Sequence, residues 1–189
     1  MSFNVEEFKS KLNDLNSIAP TSKFDVYINP KSTELLDMKP NEYIRFLAFS
    51  VDLPGVSFSP DLVMLNGHGR VNEIPLRPAM SDCDIQFYMD SNSAAYKFFY
   101  NWMNTVSKFD GTRYKVFNNG FDQMEYASEY YADVHIHYKN NHNAKVMDIH
   151  LMEAYPLELS GMNLDWNNEN ILASSQIRLG FRAMKNSFL

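Results

Sequence analysis

The feature that most constrains the fold is a pair of alternating segments joined by a short polar loop. The segment ADVHIHY, which ends at Tyr138, has an apolar side chain at every second position, and Lys145 to Tyr155 begins with a similar alternation. The loop between them, Lys139 to Ala144, reads KNNHNA and consists mainly of turn-forming residues. Because successive side chains of a strand point to opposite faces, the pattern predicts two half-buried strands. A loop this short makes the two strands antiparallel neighbours.

Other segments show the same period and predict further strands. They are Lys23 to Asn29, Tyr43 to Leu53, Asp82 to Asp90 and, as the last strand, Ser174 to Arg182. Most are separated by turn signals, so they predict antiparallel sheets. The sum of about six or seven strands is typical of a β-sandwich or small barrel.

Two helices are predicted beside the strands. Ser91 or Ser93 can cap a helix that runs to about Lys108. Its predicted apolar face consists of Tyr96, Phe99, Tyr100, Met103 and Val106. Asn4 to Asn16 reads as a short amphipathic helix, which is marginally stable alone and is expected to dock on another surface. The fold class is therefore mainly β, with a flanking helix and an added N-terminal helix.

Composition excludes several classes of protein. With 45% hydrophobic residues, the chain can bury a core and is not intrinsically disordered. The 23 acidic and 17 basic residues give a net charge of −6, which disfavours a module that binds nucleic acid tightly through phosphate contacts. No apolar run approaches the ~20 residues of a membrane helix. The segment MSFNVEEFKSKL has no apolar stretch typical of a secretory signal.

The histidines are the strongest candidates for chemistry. His135 and His137 lie two residues apart on one predicted strand and so share a face, and His150 follows on the next strand. Imidazole suits zinc or nickel, so one hypothesis is a metal site or enzyme that uses these three residues. The alternative is that they are ordinary residues on a polar sheet face.

No enzyme motif is present, and no cofactor is expected. Cys83 is the single cysteine, so there is no disulfide framework within the chain. Asp82 and Asp84 flank it, and neighbouring carboxylates raise the pKa of a thiol, which works against a role as nucleophile.

The segment Val56 to Pro78 is long for a loop and is therefore expected to be functional. It follows Pro54-Gly55 and contains the turn signal Asn66-Gly67-His68-Gly69. We expect a projecting, partly hairpin-like structure.

Several motifs follow one another in a distinctive order along the chain. APTSKFDVYI and FLAFSVDLPGVSF are followed by DCDIQFYMDSNSAAYKFFYNWMN, by KVMDIHLMEAYPLEL with its proline break and, near the C-terminus, by NLDWNNEN and ILASSQIRLGF. In this order they resemble the first two strands, the strand, turn and helix, the penultimate strand and the end of the tail tube proteins of contractile-tailed (T4-type) bacteriophages. The resemblance covers roughly Ala19 to Phe181.

The resemblance implies a structural virion protein without catalysis. In that family six copies form a ring lined by a continuous β-barrel, and stacked rings form the inner tail tube through which DNA is ejected. Partners would be further copies of the chain, the sheath, the baseplate and the tail terminator, with DNA passing but not bound specifically. The protein would belong to the virion tail and be assembled in the host cytoplasm.

Two sets of residues follow from the resemblance. The loop that contacts the neighbouring ring would contain Val56, Phe58, Leu62, Val63, Met64, Leu65, Asn66, Gly67 and His68. Residues that face the lumen are expected among Asp133, His135, His137, Lys145, Asp148 and His150.

The division of the chain and the position of the ring stay open at this point. Residues 1–18 are expected to form a helical arm and residues 19–189 the tail-tube domain. The N-terminal helix and the segment Asp110 to Met124 depart from the minimal pattern. The alternatives are therefore a baseplate or tail-end ring with the same fold, or a type VI secretion-like tube protein.

Overall fold

The computed structural model describes residues 5–6, 9–10, 20–64, 71–107, 109, 125–162 and 172–188. The strands are β1 (Phe24–Pro30), β2 (Ala48–Asp52), β3 (Val56–Met64), β4 (Val71–Met80), β5 (Cys83–Tyr88), β6 (Ala132–Lys139), β7 (Lys145–Leu159), β8 (Ser174–Gly180) and β9 (Ala183–Phe188). The helices are α1 (Thr33–Asp37), α2 (Ile44–Leu47), α3 (Ala94–Val106) and α4 (Ala127–Tyr130), with a 3₁₀ turn at Pro40–Glu42. None of the described helices is long and apolar enough to cross a membrane.

Seven antiparallel strands form one continuous network in the order β1-β6-β7-β8-β5-β2, with β9 also paired to β7. The first part of β7 pairs with β6 and β9, and its last part, from Tyr155 to Leu159, pairs with β8. The predicted antiparallel β-rich fold is confirmed, and its two sheets share the long strand β7. β3 and β4 form a separate two-stranded sheet.

A bulge marks the point where β7 passes from one set of partners to the other. The register between β6 and β7 shifts between Ala132 and Val134, and Glu153 has a left-handed φ of 54°. Bulges bend a strand and increase its twist. At the bulge, Arg182 Nη1 donates a 3.1 Å hydrogen bond to Glu153 Oε2. The prediction that Pro156 breaks the strand is wrong: the strand continues through it with a second register shift.

The helix α3 closes the core on one side. Its buried residues are Ala95, Phe98, Phe99 and Trp102, and Trp102 Nε1 donates a 2.6 Å hydrogen bond to the Tyr130 carbonyl oxygen. Of the predicted face, only Phe99 is buried. The predicted caps Ser91 and Ser93 make no side-chain cap; instead Asp90 Oδ1 accepts a 2.8 Å hydrogen bond from the Ala94 amide.

Other predicted boundaries also change. Tyr43 to Leu53 is a helical turn followed by a shorter strand, so the predicted long strand is wrong in its first half. The last strand of the chain is β9, which the sequence analysis missed. Residues 5–6 and 9–10 are helical, but the rest of the predicted helix Asn4 to Asn16 lies outside the described residues, as do the NLDWNNEN segment and all of Asp110 to Met124.

Candidate functional site

The polar face of β6 and β7 brings the histidines together. On β6, Val134 and Ile136 point into the core, while Asp133, His135 and His137 lie on the opposite face and are half-buried. The register of the hairpin places His135 opposite His150 and His137 opposite Asp148. Cross-strand neighbours share a face, so all of these side chains are on one side of the sheet.

Asp148 is the centre of this cluster. Its Oδ1 lies 3.4 Å from His135 Nδ1 and 3.5 Å from His137 Nε2. Lys145 Nζ donates a 3.1 Å hydrogen bond to Oδ2, the other carboxylate oxygen. The three residues His135, His137 and Asp148 each offer a ligand atom, and these atoms all lie within 4.8 Å of one another.

His150 occupies a different position from the one the sequence suggested. Its ring stacks on that of His135, with centroids 4.1 Å apart and planes 13° from parallel. Its Nε2 is buried and faces Asp133 Oδ1 at 3.7 Å. The predicted trio of His135, His137 and His150 is therefore adjacent, but the structure replaces His150 with Asp148 as the third residue of the compact cluster. The register of the hairpin places Asp148 opposite His137, and alternation along the two strands does not give this register.

The pKa values of Asp148 and His137 are both lowered, but for different reasons. Partial burial acts to raise the pKa of Asp148, but hydrogen bonds and charges from Lys145 and His135 outweigh it, so the pKa lies below the ordinary value. Burial, together with the charge of Lys145, lowers the pKa of His137. The favoured state is an ionised carboxylate beside a neutral imidazole, which leaves lone pairs available on both groups.

A second group of polar side chains, missed in the sequence analysis, extends the same face onto β1. Asp25 forms ion pairs with Lys139 and with Arg45, whose Nη2 is 3.4 Å from Asp25 Oδ2. The Arg45 guanidinium also lies 5.6 Å from the ring centroid of Tyr27. Burial acts to raise the Asp25 pKa, yet Lys139 and Arg45 hold it below its usual value. Alternation along β1 could have placed Asp25 and Tyr27 on this face.

The β3–β4 hairpin is the second candidate surface. Its strands pair along Val56 to Met64 and, within the described chain, only with each other. At its base the Gly55 amide donates to Ser81 Oγ at 2.8 Å, and the Ser81 amide donates back to the Gly55 carbonyl at 3.2 Å. Val56 and Phe58 are 54% and 61% exposed.

The prediction of a partly hairpin-like projection is thus confirmed for its two arms. The backbone of Leu62, Val63 and Met64 belongs to β3. Leu65, Asn66, Gly67 and His68 lie outside the described residues, so their part in the loop stays a prediction.

The edges of the sheet form the third surface. In the part of the chain that the structure describes, β1 pairs only with β6 and β2 only with β5. Residues of both strands contribute to an open cleft of about 460 Å³, whose lining includes Phe24, Phe49, Val51, Leu53, Ile136 and Tyr138. An unpaired edge strand presents backbone N–H and C=O groups that can form hydrogen bonds with another chain.

Among the described residues, the fold thus combines antiparallel sheets that have unpaired edge strands with a separate two-stranded hairpin. A model of the phage tail tube protein family matches residues 19–183. The chain therefore belongs to the phage tail tube protein family and is a structural tail component, as the sequence motifs indicated. A search of curated protein sequences finds no match.

Solved structures agree with this fold. A chain of the sheath–tube complex of the extracellular contractile injection system PVC is 14% identical, with a TM-score of 0.63 and complete coverage of both chains. A chain of the baseplate of the anti-feeding prophage has a TM-score of 0.61 at 11% identity, covering 91% of this chain and 97% of the other. A chain of the tube-terminating cap of the same prophage has a TM-score of 0.62 at 16% identity, covering 91% and 92%. At these identities the likeness is one of fold.

Proposed function

We propose that this protein forms hexameric rings that stack into the inner tube of a contractile tail and that DNA leaves the virion through the lumen. The observation that carries the proposal is the β3–β4 hairpin: its strands pair with no other strand of the described chain, and Val56 and Phe58 are exposed on it. An isolated two-stranded hairpin is at best marginally stable in water, so a neighbouring subunit is the natural support for its apolar side chains.

Ring closure is supported by β1 and β2, which are edge strands among the described residues, as is β9. β1 and β2 lie at opposite ends of the strand order, so the edge of one subunit can pair with the other edge of the next. Such a heterologous contact gives a closed ring when the rotation from one subunit to the next is a whole-number fraction of a full turn. The same contact covers the β1 and β2 edges, which would otherwise be open to uncontrolled pairing.

The polar face of β6 and β7 is proposed as part of the lumen. Asp133, His135, His137, Lys145, Asp148 and His150 lie on this face, opposite the core, and the chain as a whole carries a net charge of −6. A lumen wall without a net basic surface does not hold phosphates, so DNA can slide past it.

We test the assembly by electron microscopy of the purified protein across a concentration series. Hollow rings or tubes with sixfold end views are expected. Closed rings of another symmetry, or a chain that stays monomeric at every concentration, contradict the proposal. Deletion of residues 58–69 is expected to remove stacking while the subunit still folds, and tubes formed by the deletion variant would contradict the stacking role.

The lumen assignment has its own test. Cys83 is buried, so Asp133→Cys introduces a thiol that reacts independently of it. In assembled tubes a small maleimide is expected to label this position, whereas a polymer-linked maleimide too wide for the lumen is not. The same variant before assembly is the control and should react with both reagents. Equal labelling of tubes by the wide reagent would place the face outside.

A single ring at the baseplate or tube end is the alternative position in the particle. Such a ring uses the edge contacts but does not repeat along the tail. The number of copies in purified particles distinguishes the two: a tube subunit is present in many rings and an end protein in one. Sheath, baseplate and terminator partners and assembly in the host cytoplasm belong to either version of the proposal.

A further inference from the structure

We propose that His135, His137 and Asp148 form a binding site for a divalent transition-metal ion such as Zn²⁺. The site differs from the assembly surfaces because its three ligands come from a single β-hairpin of one chain. It therefore does not depend on ring formation or on the proposed role in a tail.

The distances within the cluster fit a common ion. Tetrahedral zinc has bonds of about 2.0–2.2 Å to imidazole nitrogen and carboxylate oxygen, which places its ligand atoms roughly 3.3–3.6 Å apart. Asp148 Oδ1 is 3.4 Å from His135 Nδ1 and 3.5 Å from His137 Nε2. Since all ligand atoms lie within 4.8 Å of one another, small rotations of the two rings complete the set.

The chemistry of the donors matches the same class of ion. Two imidazoles and one carboxylate suit zinc and its neighbours rather than calcium or magnesium, which prefer oxygen ligands. Lys145 holds Asp148 Oδ2, so Oδ1 is the oxygen oriented toward the histidines. Hydrogen bonds of this kind orient metal ligands in proteins. The ligand side chains are 20–28% exposed, so water can occupy the remaining coordination positions.

The surroundings also orient the ligands. His135 stacks on His150, and this contact fixes the plane of one of the two ligand rings. His150 is itself directed to Asp133, so it is a neighbour and not a fourth ligand. Bound metal would join β6 to β7 across the hairpin and offset the charge of Asp148.

The test uses full-length protein purified with an affinity tag that contains no histidine and treated with a chelator. Isothermal titration with Zn²⁺ is expected to give about one ion per chain, and Co²⁺ is expected to give the visible absorption of a low-symmetry nitrogen and oxygen site. His137→Ala and Asp148→Asn should each raise the Kd at least ~10-fold.

His142→Ala is the matched control because His142 is exposed in the turn of the same hairpin. It should leave the Kd unchanged. Circular dichroism confirms that each variant folds, and Asp148→Asn is kept as the isosteric change in case an alanine variant does not. Absence of Zn²⁺ and Co²⁺ binding by the wild-type chain would overturn the proposal. So would an equal loss in His142→Ala, or undiminished binding by folded Asp148→Asn.

Discussion

Phe58 offers the sharpest test of how the rings stack. It is 61% exposed on β3. An aromatic side chain can bury roughly 150–250 Å², so roughly 120 Å² of Phe58 is available for a neighbouring ring to cover. At ~25 cal/mol per Å², full coverage stabilises the contact by about 3 kcal/mol per subunit and half coverage by about 1.5 kcal/mol. Phe58→Ser should therefore raise the concentration needed for tube assembly by roughly 10-fold to 100-fold.

The assay is sedimentation of assembled protein across a concentration series, with electron microscopy of the pellets. Because Phe58 is exposed in the subunit, its replacement should change the free energy of unfolding of the monomer by no more than about 0.5 kcal/mol. Tyr126→Ser is the matched control, since Tyr126 is 82% exposed and lies outside the hairpin. An unchanged assembly concentration for Phe58→Ser, or an equal shift for Tyr126→Ser, would refute the reasoning.

Three further predictions concern the subunit itself. The Tyr43 hydroxyl is buried without a hydrogen-bond partner in the described chain. In urea unfolding, Tyr43→Phe should therefore leave the free energy of unfolding unchanged or raise it by about 1 kcal/mol. A lower free energy of unfolding for Tyr43→Phe would contradict this, because it would mean that the hydroxyl makes a stabilising hydrogen bond. Burial raises the pKa of Cys83 from 9.0 to about 12. The folded state therefore favours the neutral thiol. This contribution to the free energy of unfolding is complete below pH 9 and is lost as the pH rises toward 12. Cys83→Ala should flatten the dependence of the free energy of unfolding on pH in this range. A Cβ at Gly180 would lie 2.9 Å from Tyr155 Cζ, so Gly180→Ala should destabilise by about 1–3 kcal/mol, and Tyr155→Ala in the same chain should relieve part of the clash; additive losses in the double variant would contradict this.

The alternation of residues along the chain was sufficient to predict the strands that have one apolar and one polar face. β1, β5, β6 and β8 were predicted because apolar and polar residues alternate along them, and the turn at residues 140–144 was predicted from its composition. The class of the fold followed from these elements together with the order of the motifs. The polar face of the β6–β7 hairpin could also be predicted, because alternation alone determines which residues share a side.

Positions where tertiary contacts override the local signal were predicted wrongly. Pro156 has no backbone N–H to donate, which predicts the end of a strand. In the structure β7 already pairs with β8 at Tyr155, and the strand continues through Pro156 with a register shift just after it. The buried face of α3 is set by which sheet the helix packs on, so Phe98 and Trp102 are inside where Tyr96 and Tyr100 were expected.

By itself the sequence determined the strand period, the polar face and the family to which the chain belongs. Only the tertiary structure decided that Asp148, and not His150, completes the cluster with His135 and His137, that Arg45 reaches Asp25, and that β3 and β4 pair with no other described strand. The physical reason is that alternation is a property of one strand. The partner of a side chain depends instead on register, bulges and the packing of segments far apart in the chain, to which a local pattern contributes little.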